Sequence, residues 1–183
     1  MSYVITGNPG VGKHTITKKI GELLHLPIID INNVAQEFGL FEKNKETNDV
    51  DVVKLEKIIT DTILHPVLFV GHLAPYVLAS DKIKKVIVLR KNPYDLISIY
   101  KKREYSKEKI KDNLGSEALG VIFHDTITQF GTEKTIQIDI TLQSIQETTK
   151  KVIDAIKGKI ETEEVDWLTT IAEKNDLKEF FAH

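Results

Sequence analysis

Nine residues near the start of the chain, Gly7-Asn8-Pro9-Gly10-Val11-Gly12-Lys13-His14-Thr15, have the types and spacing that most directly suggest chemistry. Glycines let a backbone curl until its N–H groups converge on one point, and a lysine closing the curl can reach the terminal phosphates of a nucleotide. Seven of the eight positions of the G-x-x-x-x-G-K-[ST] pattern are met. The eighth holds His14, where a Ser or Thr hydroxyl ordinarily ligates Mg²⁺. A glycine turn with a merely solvated lysine is the plain alternative, but glycines, lysine, position and flanks all agree on a site for a nucleotide or another polyphosphate.

Other residues could share that chemistry. Arginine occurs only at Arg90 and Arg103 in a lysine-rich chain, which suggests places where a planar fork must grip phosphate or carboxylate; surface salt bridges explain the pattern equally well. His72 follows Gly71 just past an apolar run, placed either to face the phosphate loop or to serve the fold. Asp30, Asn32 and Asn33 follow another apolar run, and Asn33 could equally cap the next helix.

These residues need a scaffold that brings them to one edge. Tyr3-Val4-Ile5 before the loop and Ile16, Ile20, Leu23 and Leu24 after it read as strand and helix, so the loop opens a helix whose N-terminus favours anions. Four more strands are expected, at 27–31 and 66–70, both buried, and at 85–89 and 134–140. His72 and Arg90 then sit at the carboxyl ends of strands, the edge where open α/β sheets place ligands. Asp51 reads as the cap of a helix with Val52, Leu55, Ile58, Ile59 and Ile63 inward, and Asn92-Pro93 as a cap with proline at the first helical position. One long helix is expected after Ser106, through Ile110, Leu114, Ala118, Leu119 and Ile122. Ser144-Ile145-Gln146-Glu147 is a capping box, opening a helix with Ile145, Val152, Ile153 and Ile156 inward. The polar stretch at 41–49 interrupts the alternation as a surface segment. Residues 103–111 form a basic corner, either folding over phosphates or simply solvated. Residues 159–183, with Val165, Trp167, Leu168, Ile171 and Ala172, are an extension that packs on the core or presents a partner-binding helix.

Composition bounds the function classes. The 183 residues suffice for one α/β domain, and the absence of cysteine excludes disulfides and thiolate metal sites. A formal net charge of −2 argues against a wide nucleic-acid face. No apolar run approaches a membrane span and no signal peptide precedes the first strand, so a cytoplasmic protein is expected. The guanine-specifying Asn-Lys-x-Asp motif does not follow a late strand, which disfavours a GTPase; Lys174-Asn175-Asp176 does not fit it.

GNPGVGKHT at 7–15, VGHL at 70–73, VIVLRKNP at 86–93 and KKREYSKEKIKDNLGSEALGVI at 101–122 together resemble the adenylate-kinase-related family called isoenzyme six, in its archaeal form. The resemblance covers about residues 3–157. It implies a three-layer αβα phosphate-loop NTPase with a five-stranded, mainly parallel sheet: a kinase domain at 1–158, a short nucleoside-monophosphate-binding segment near 30–53 and a short lid near 102–112. Gly10, Val11, Gly12, Lys13, His14 and Thr15 become nucleotide contacts and Arg103 the lid arginine. Asp30, Asn33, Asp51 and Arg90 become candidates on the monophosphate side, and Lys13, His72, Arg90 and Arg103 the catalytic set. Members are similar to nucleoside monophosphate kinases, show ATPase activity and assist small-ribosomal-subunit and 16S rRNA maturation through a ribosomal protein. ATP and AMP are the implied substrates, Mg²⁺ the implied cofactor, and a small-subunit ribosomal protein and the pre-30S particle the implied partners.

Two departures bear on the metal. His14 replaces the hydroxyl ligand, and Val70 stands where relatives carry an acidic residue two before the histidine. Mg²⁺ would then ride on phosphates and water, with Thr15 or Asp30 as candidate ligands; alternatively, the protein is a nucleotide-dependent ribosome-assembly switch with weak turnover. A small-molecule kinase with another acceptor is a third option.

Overall fold

The computed structural model describes residues 1–43 and 48–181. The chain opens with β1 (Ser2–Thr6), whose Val4 and Ile5 alternate between faces and are both fully buried. The phosphate loop leads into α1 (Lys13–Leu24). Then come β2 (Ile28–Asp30), α2 (Ile31–Glu37) and a two-stranded antiparallel unit of β3 (Phe41–Lys43) and β4 (Asn48–Val50). The polar stretch at 41–49, expected as a plain surface segment, thus carries this strand pair; residues 44–47 lie outside the described residues.

After α3 (Val52–Thr62) come β5 (Leu68–Val70), the short α4 (Ala74–Val77), a 3-10 turn at Ser80–Lys82, and β6 (Ile83–Arg90). Asn92 caps α5 (Pro93–Lys102), its carboxamide accepting from the Tyr94 N–H. Ser106 caps α6 (Lys107–Leu119). The single long helix expected here is broken: α7 (Val121–Phe130) starts anew after Gly120. Gly120 has φ of 66°, a left-handed conformation, and a Cβ there would come within 3.1 Å of the Arg90 guanidinium. Leu119, expected inward, is accordingly 57% exposed.

β7 (Thr135–Asp139), α8 (Ile145–Ile156) behind its Ser144–Glu147 capping box, α9 (Trp167–Glu173) and α10 (Leu177–Phe181) complete the chain. On α8, Val152 and Ile156 are buried as expected, whereas Ile145 in the first turn is half-exposed.

The main sheet runs β2-β5-β1-β6-β7, every neighbouring pair parallel. Ile5, Leu68, Ile87 and Ile138 pack under α1, α5, α6, α8, α9 and α10 in one hydrophobic cluster. Val4, Phe69 and Val86 pack under α2, α3, α4 and α7 in a second. This is the three-layer αβα arrangement of the sequence reading, with near-continuous apolar strands because both sheet faces are covered. β2 departs from the expectation of a buried strand. It is an edge strand, with Ile28 41% exposed. Residues beyond 158 pack on the first cluster through Ile171 and Phe180. No helix among the described residues is long and apolar enough to cross a membrane.

Candidate functional site

The site begins where β1 ends. The Thr6 hydroxyl donates to the Gly71 carbonyl at 2.8 Å, tying the carboxyl ends of β1 and β5 together. From there the loop turns through Gly10 and Gly12, with φ of 87° and 89°. This left-handed region is open to glycine at little cost, and a loop that passes through it can aim its backbone N–H groups at one anion.

Lys13, the first residue of α1, is 4% exposed, and its ammonium donates to the Asn8 carbonyl at 3.2 Å. Burial, then the Arg103 charge, lower its pKa to about 8, while Asp30 and Glu117 pull it upward. At neutral pH the ammonium stays mostly protonated, held in a partly dry place against the Asn8 carbonyl. A phosphate oxygen there would gain a strong charge-assisted contact.

A cleft of about 980 Å³ opens over the loop. Asn8, Pro9, Gly10, Gly12, Lys13, His14 and Thr15 line it on the loop side. Arg103, Tyr105, Ser106, Glu108, Lys109, Asp112 and Asn113 line it from the end of α5 and the start of α6. The rest is more apolar: Asn32, Val50, Val52, Leu73, Tyr76, Val121 and Ile122. His72 also lines the cleft; burial, then the charges of Lys13 and Lys109, push its pKa down to about 4, so the imidazole is neutral at pH 7. A neutral, half-buried imidazole can accept a hydrogen bond or a proton from a bound hydroxyl, water or phosphate.

The structure thus brings Gly10, Gly12, Lys13, His14, Thr15, His72 and Arg103 to one cleft. It places the other expected residues differently. The Val11 side chain is 2% exposed and packs in the core beneath the loop, which leaves its backbone N–H as the group for a nucleotide contact. Asp30 is the cap of α2, its carboxylate accepting from the N–H groups of Asn32 at 3.0 Å and Asn33 at 3.4 Å. Asn33 is therefore not the cap. Asp51 caps α3, accepting from the Lys54 N–H at 3.1 Å and pairing with its ammonium at 3.0 Å. Neither Asp30, Asn33 nor Asp51 lines the cleft, although their neighbours Asn32, Val50 and Val52 do.

Arg90 needs the largest correction. Its side chain is 4% exposed and does not face the cleft. Nε donates to Glu117 Oε1 at 2.9 Å, one terminal nitrogen to Gln137 Oε1 at 2.7 Å, and the other to the Glu117 carbonyl at 2.6 Å. Each guanidinium nitrogen has a protein acceptor, and the phosphate-gripping fork is a structural clamp.

That clamp exposes a residue that sequence reasoning missed. Asn8 donates its amide to Glu117 Oε2 at 2.6 Å and accepts from the Ser116 hydroxyl at 3.0 Å. The phosphate loop is thereby fastened to α6. Position 8 is an unspecified position of the loop pattern, so nothing in the motif singles it out; an acidic residue on the buried side of α6 was the available signal. A second fastening runs through aromatic rings: Tyr100 donates its hydroxyl to the Pro9 carbonyl at 2.7 Å and stacks on Tyr105, over which the Lys109 ammonium sits 4.4 Å from the ring centre.

The donor set does not suit a magnesium anchor. His14 Nε2 lies 2.9 Å from Asp30 Oδ2, so the side chain that replaces the usual hydroxyl is engaged with a carboxylate. The other Asp30 oxygen is committed to the α2 cap. Val70 at the end of β5 is apolar and 2% exposed. Mg²⁺ asks for oxygen ligands in octahedral array, and the expected Asp30 contribution is already spent on the fold. Thr15 lines the cleft and is the one candidate whose hydroxyl could serve.

Comparison with known proteins agrees with this geometry. Residues 4–120 match the AAA domain family. The chain is 33% identical over 173 residues to a Methanocaldococcus jannaschii protein named "Putative adenylate kinase", covering 91% of this chain and 93% of that one. A Thermococcus kodakarensis protein of the same name is 30% identical over 170 residues, covering 91% and 93%. Among solved structures, YorR from Bacillus subtilis, crystallised with phosphorylated GDP, superposes with a TM-score of 0.58 at 19% identity, covering 86% of this chain and 96% of that one. Shikimate kinase from Bacteroides thetaiotaomicron gives a TM-score of 0.55 at 16% identity, covering 86% and 98%. At such identities these two establish a shared fold.

Proposed function

This chain belongs to the AAA domain family and to its archaeal adenylate-kinase-related members, and from that premise we propose that it transfers the terminal phosphate of ATP to AMP or a related nucleoside monophosphate. One observation carries the reading: a single cleft of about 980 Å³ is lined by the phosphate loop, by Arg103 and Lys109, and by the apolar side chains Val50, Val52, Leu73, Val121 and Ile122. A hydrolase needs room for water at the terminal phosphate. A kinase needs space for a second molecule beside the donor phosphates, and a cleft of this volume with apolar lining offers it.

In this reading the loop amides and Lys13 hold the donor's β- and γ-phosphates, and Arg103 meets the charge on the transferred group from the lid side. An oxygen of the acceptor phosphate attacks the γ-phosphorus while the bond to the β–γ bridging oxygen breaks, and ADP leaves with that electron pair. Neutral His72 positions the attacking oxygen, or a water in the ATPase side reaction. The apolar side chains Val52, Leu73, Val121 and Ile122 suit a flat base. No step here runs through a metal ion. Arg90 acts through Glu117 and Asn8 as a positioning residue.

A second reading has its own observation in its favour. With His14 and Val70 in place of oxygen ligands, nucleotide binding with little turnover fits the site, and the chain would then be a switch in small-subunit ribosome assembly acting through a ribosomal protein. The test is ATP turnover with and without AMP, separating ADP from free phosphate, in the wild type and in His72→Ala. ADP formed in step with AMP consumption supports the kinase. Phosphate release indifferent to AMP points to an ATPase, and binding without turnover to the switch. Full rates in His72→Ala remove the role given to His72.

A further inference from the structure

Where a phosphate loop ordinarily offers a hydroxyl to a metal ion, this chain offers an imidazole that is already engaged. His14 Nε2 and Asp30 Oδ2 are 2.9 Å apart, and the remaining Asp30 oxygen holds two backbone N–H groups of α2. The strand end that could supply a second oxygen carries Val70, buried and apolar. An imidazole nitrogen is a poor exchange for a hard, oxygen-seeking ion, and the pair fills the position with protein atoms.

Positive charge reaches the loop from other directions. Lys13 lies within it, and Arg103 and Lys109 line the cleft from the lid side. All three cations line the same cleft and can face one bound group. The N-terminus of α1, a helix of 12 residues, adds its partial positive charge. A polyphosphate free of metal is more negative than its magnesium complex. It gains more from such a surround, and it gives up nothing for want of a hydroxyl at position 14 or a free carboxylate at Asp30.

We propose that this cleft takes the nucleotide polyphosphate as its metal-free anion, the His14–Asp30 pair standing where a metal ion and its hydroxyl ligand would otherwise stand. The inference rests on the nucleotide-binding reading of the same cleft and adds the ionic form of the ligand. It assigns His14 a specificity role: a hydroxyl at that position would release Asp30 and restore a ligand, and the preference would turn toward the magnesium complex.

The experiment is calorimetric titration of the full chain with a non-hydrolysable ATP analogue, once in EDTA and once in excess Mg²⁺, for the wild type and His14→Thr. Wild-type affinity should be at least as high in EDTA as in Mg²⁺, and His14→Thr should gain about tenfold on adding Mg²⁺. Wild-type affinity about tenfold higher with Mg²⁺ would overturn the inference while leaving the nucleotide site intact. So would a His14→Thr variant as indifferent to Mg²⁺ as the wild type. Absence of binding in both buffers would remove the nucleotide reading itself, and the inference with it. The wild-type comparison decides the matter even if the variant does not fold.

Discussion

Replacing Lys13 by Met should make the protein more stable while abolishing nucleotide binding. The ammonium is 4% exposed, and burial, followed by the Arg103 charge, brings its pKa from 10.5 to about 8. Holding that charge in the fold at neutral pH costs about 3 kcal/mol, at the usual conversion between pKa and free energy. The variant also loses the contact to the Asn8 carbonyl at 3.2 Å. A hydrogen bond from a charged donor returns about 1.5–3 kcal/mol, so about 2 kcal/mol is lost with it. The net gain is then about 1 kcal/mol, which for a chain of this size raises Tm by about 2–4 °C. The sign has a pH signature. Because the folded-state pKa lies below the unfolded one, the unfolded chain binds the extra proton between about pH 8 and 10.5, and wild-type stability rises with pH across that window. The gap between variant and wild type should therefore be full at pH 7 and close above pH 8. Thermal unfolding followed by circular dichroism, with and without ATP, reads both effects, since ATP stabilises only a protein that binds it. A Lys13→Met protein less stable than wild type at pH 7 without nucleotide would refute the reasoning, because the ammonium would then be supporting the fold.

Two further outcomes follow from the same electrostatics. His72, pushed down to about 4 by burial and by Lys13 and Lys109, remains neutral in the fold while the unfolded chain protonates below about pH 6.5. Stability should thus fall as pH drops from about 6.5 toward 4, by about 2–3 kcal/mol in all. Denaturant titrations across this range should show a shallower slope for His72→Asn, and an unchanged slope would clear His72 of the effect. Glu117→Ala leaves the Arg90 guanidinium without its carboxylate and Asn8 without its acceptor. Breaking a buried pair from one side costs about 3–5 kcal/mol. The Tm drop should be on the order of 10 °C, with nucleotide affinity lost beyond what the folded fraction accounts for; a variant that keeps wild-type affinity when folded would unlink the clamp from the loop.

Much of this site could be read from the sequence because its parts are local. A phosphate loop is one continuous stretch between a strand and a helix, so Lys13, His14 and their glycines are found by spacing alone. The strand ends at His72 and Arg90 follow from apolar runs, and the caps at Asp51, Asn92 and Ser144 follow from short-range hydrogen bonding. What spacing does not encode is the partner across the fold. Arg90 emerges at the correct edge of the sheet, but its direction is set by Glu117, 27 residues away. The break at Gly120 was hidden for the same reason: apolar periodicity continues across it, while the left-handed turn brings Gly120 close to Arg90. The cap of α2 is Asp30 and not Asn33, because an aspartate three residues earlier can cap as well as an asparagine, and only backbone geometry decides. β2 has an interior composition at a sheet edge, since strand order is a property of the whole sheet.

The scarcity of arginine acquires a reason from this. Arg90 meets two side-chain oxygens, those of Glu117 and Gln137, and one main-chain oxygen, through three differently directed nitrogens. A lysine ammonium cannot hold that plane of contacts, so the chain departs from its preference for lysine where a fork is required. Glu117 passes the restraint to Asn8 and hence to the phosphate loop. Gln137 passes it the other way: its side chain donates to the Glu163 carbonyl at 2.8 Å, and its N–H donates to the Thr162 hydroxyl at 3.0 Å. Glu163 returns an N–H to the Gln137 carbonyl at 3.1 Å and accepts from the Asp139 N–H at 2.7 Å. The extension after α8 therefore runs along β7, at the edge of the sheet, and occupies backbone groups that would otherwise be open to pairing with another chain. A segment that looked like an appendage to the phosphate-loop domain is joined through Gln137, Arg90, Glu117 and Asn8 to the loop itself.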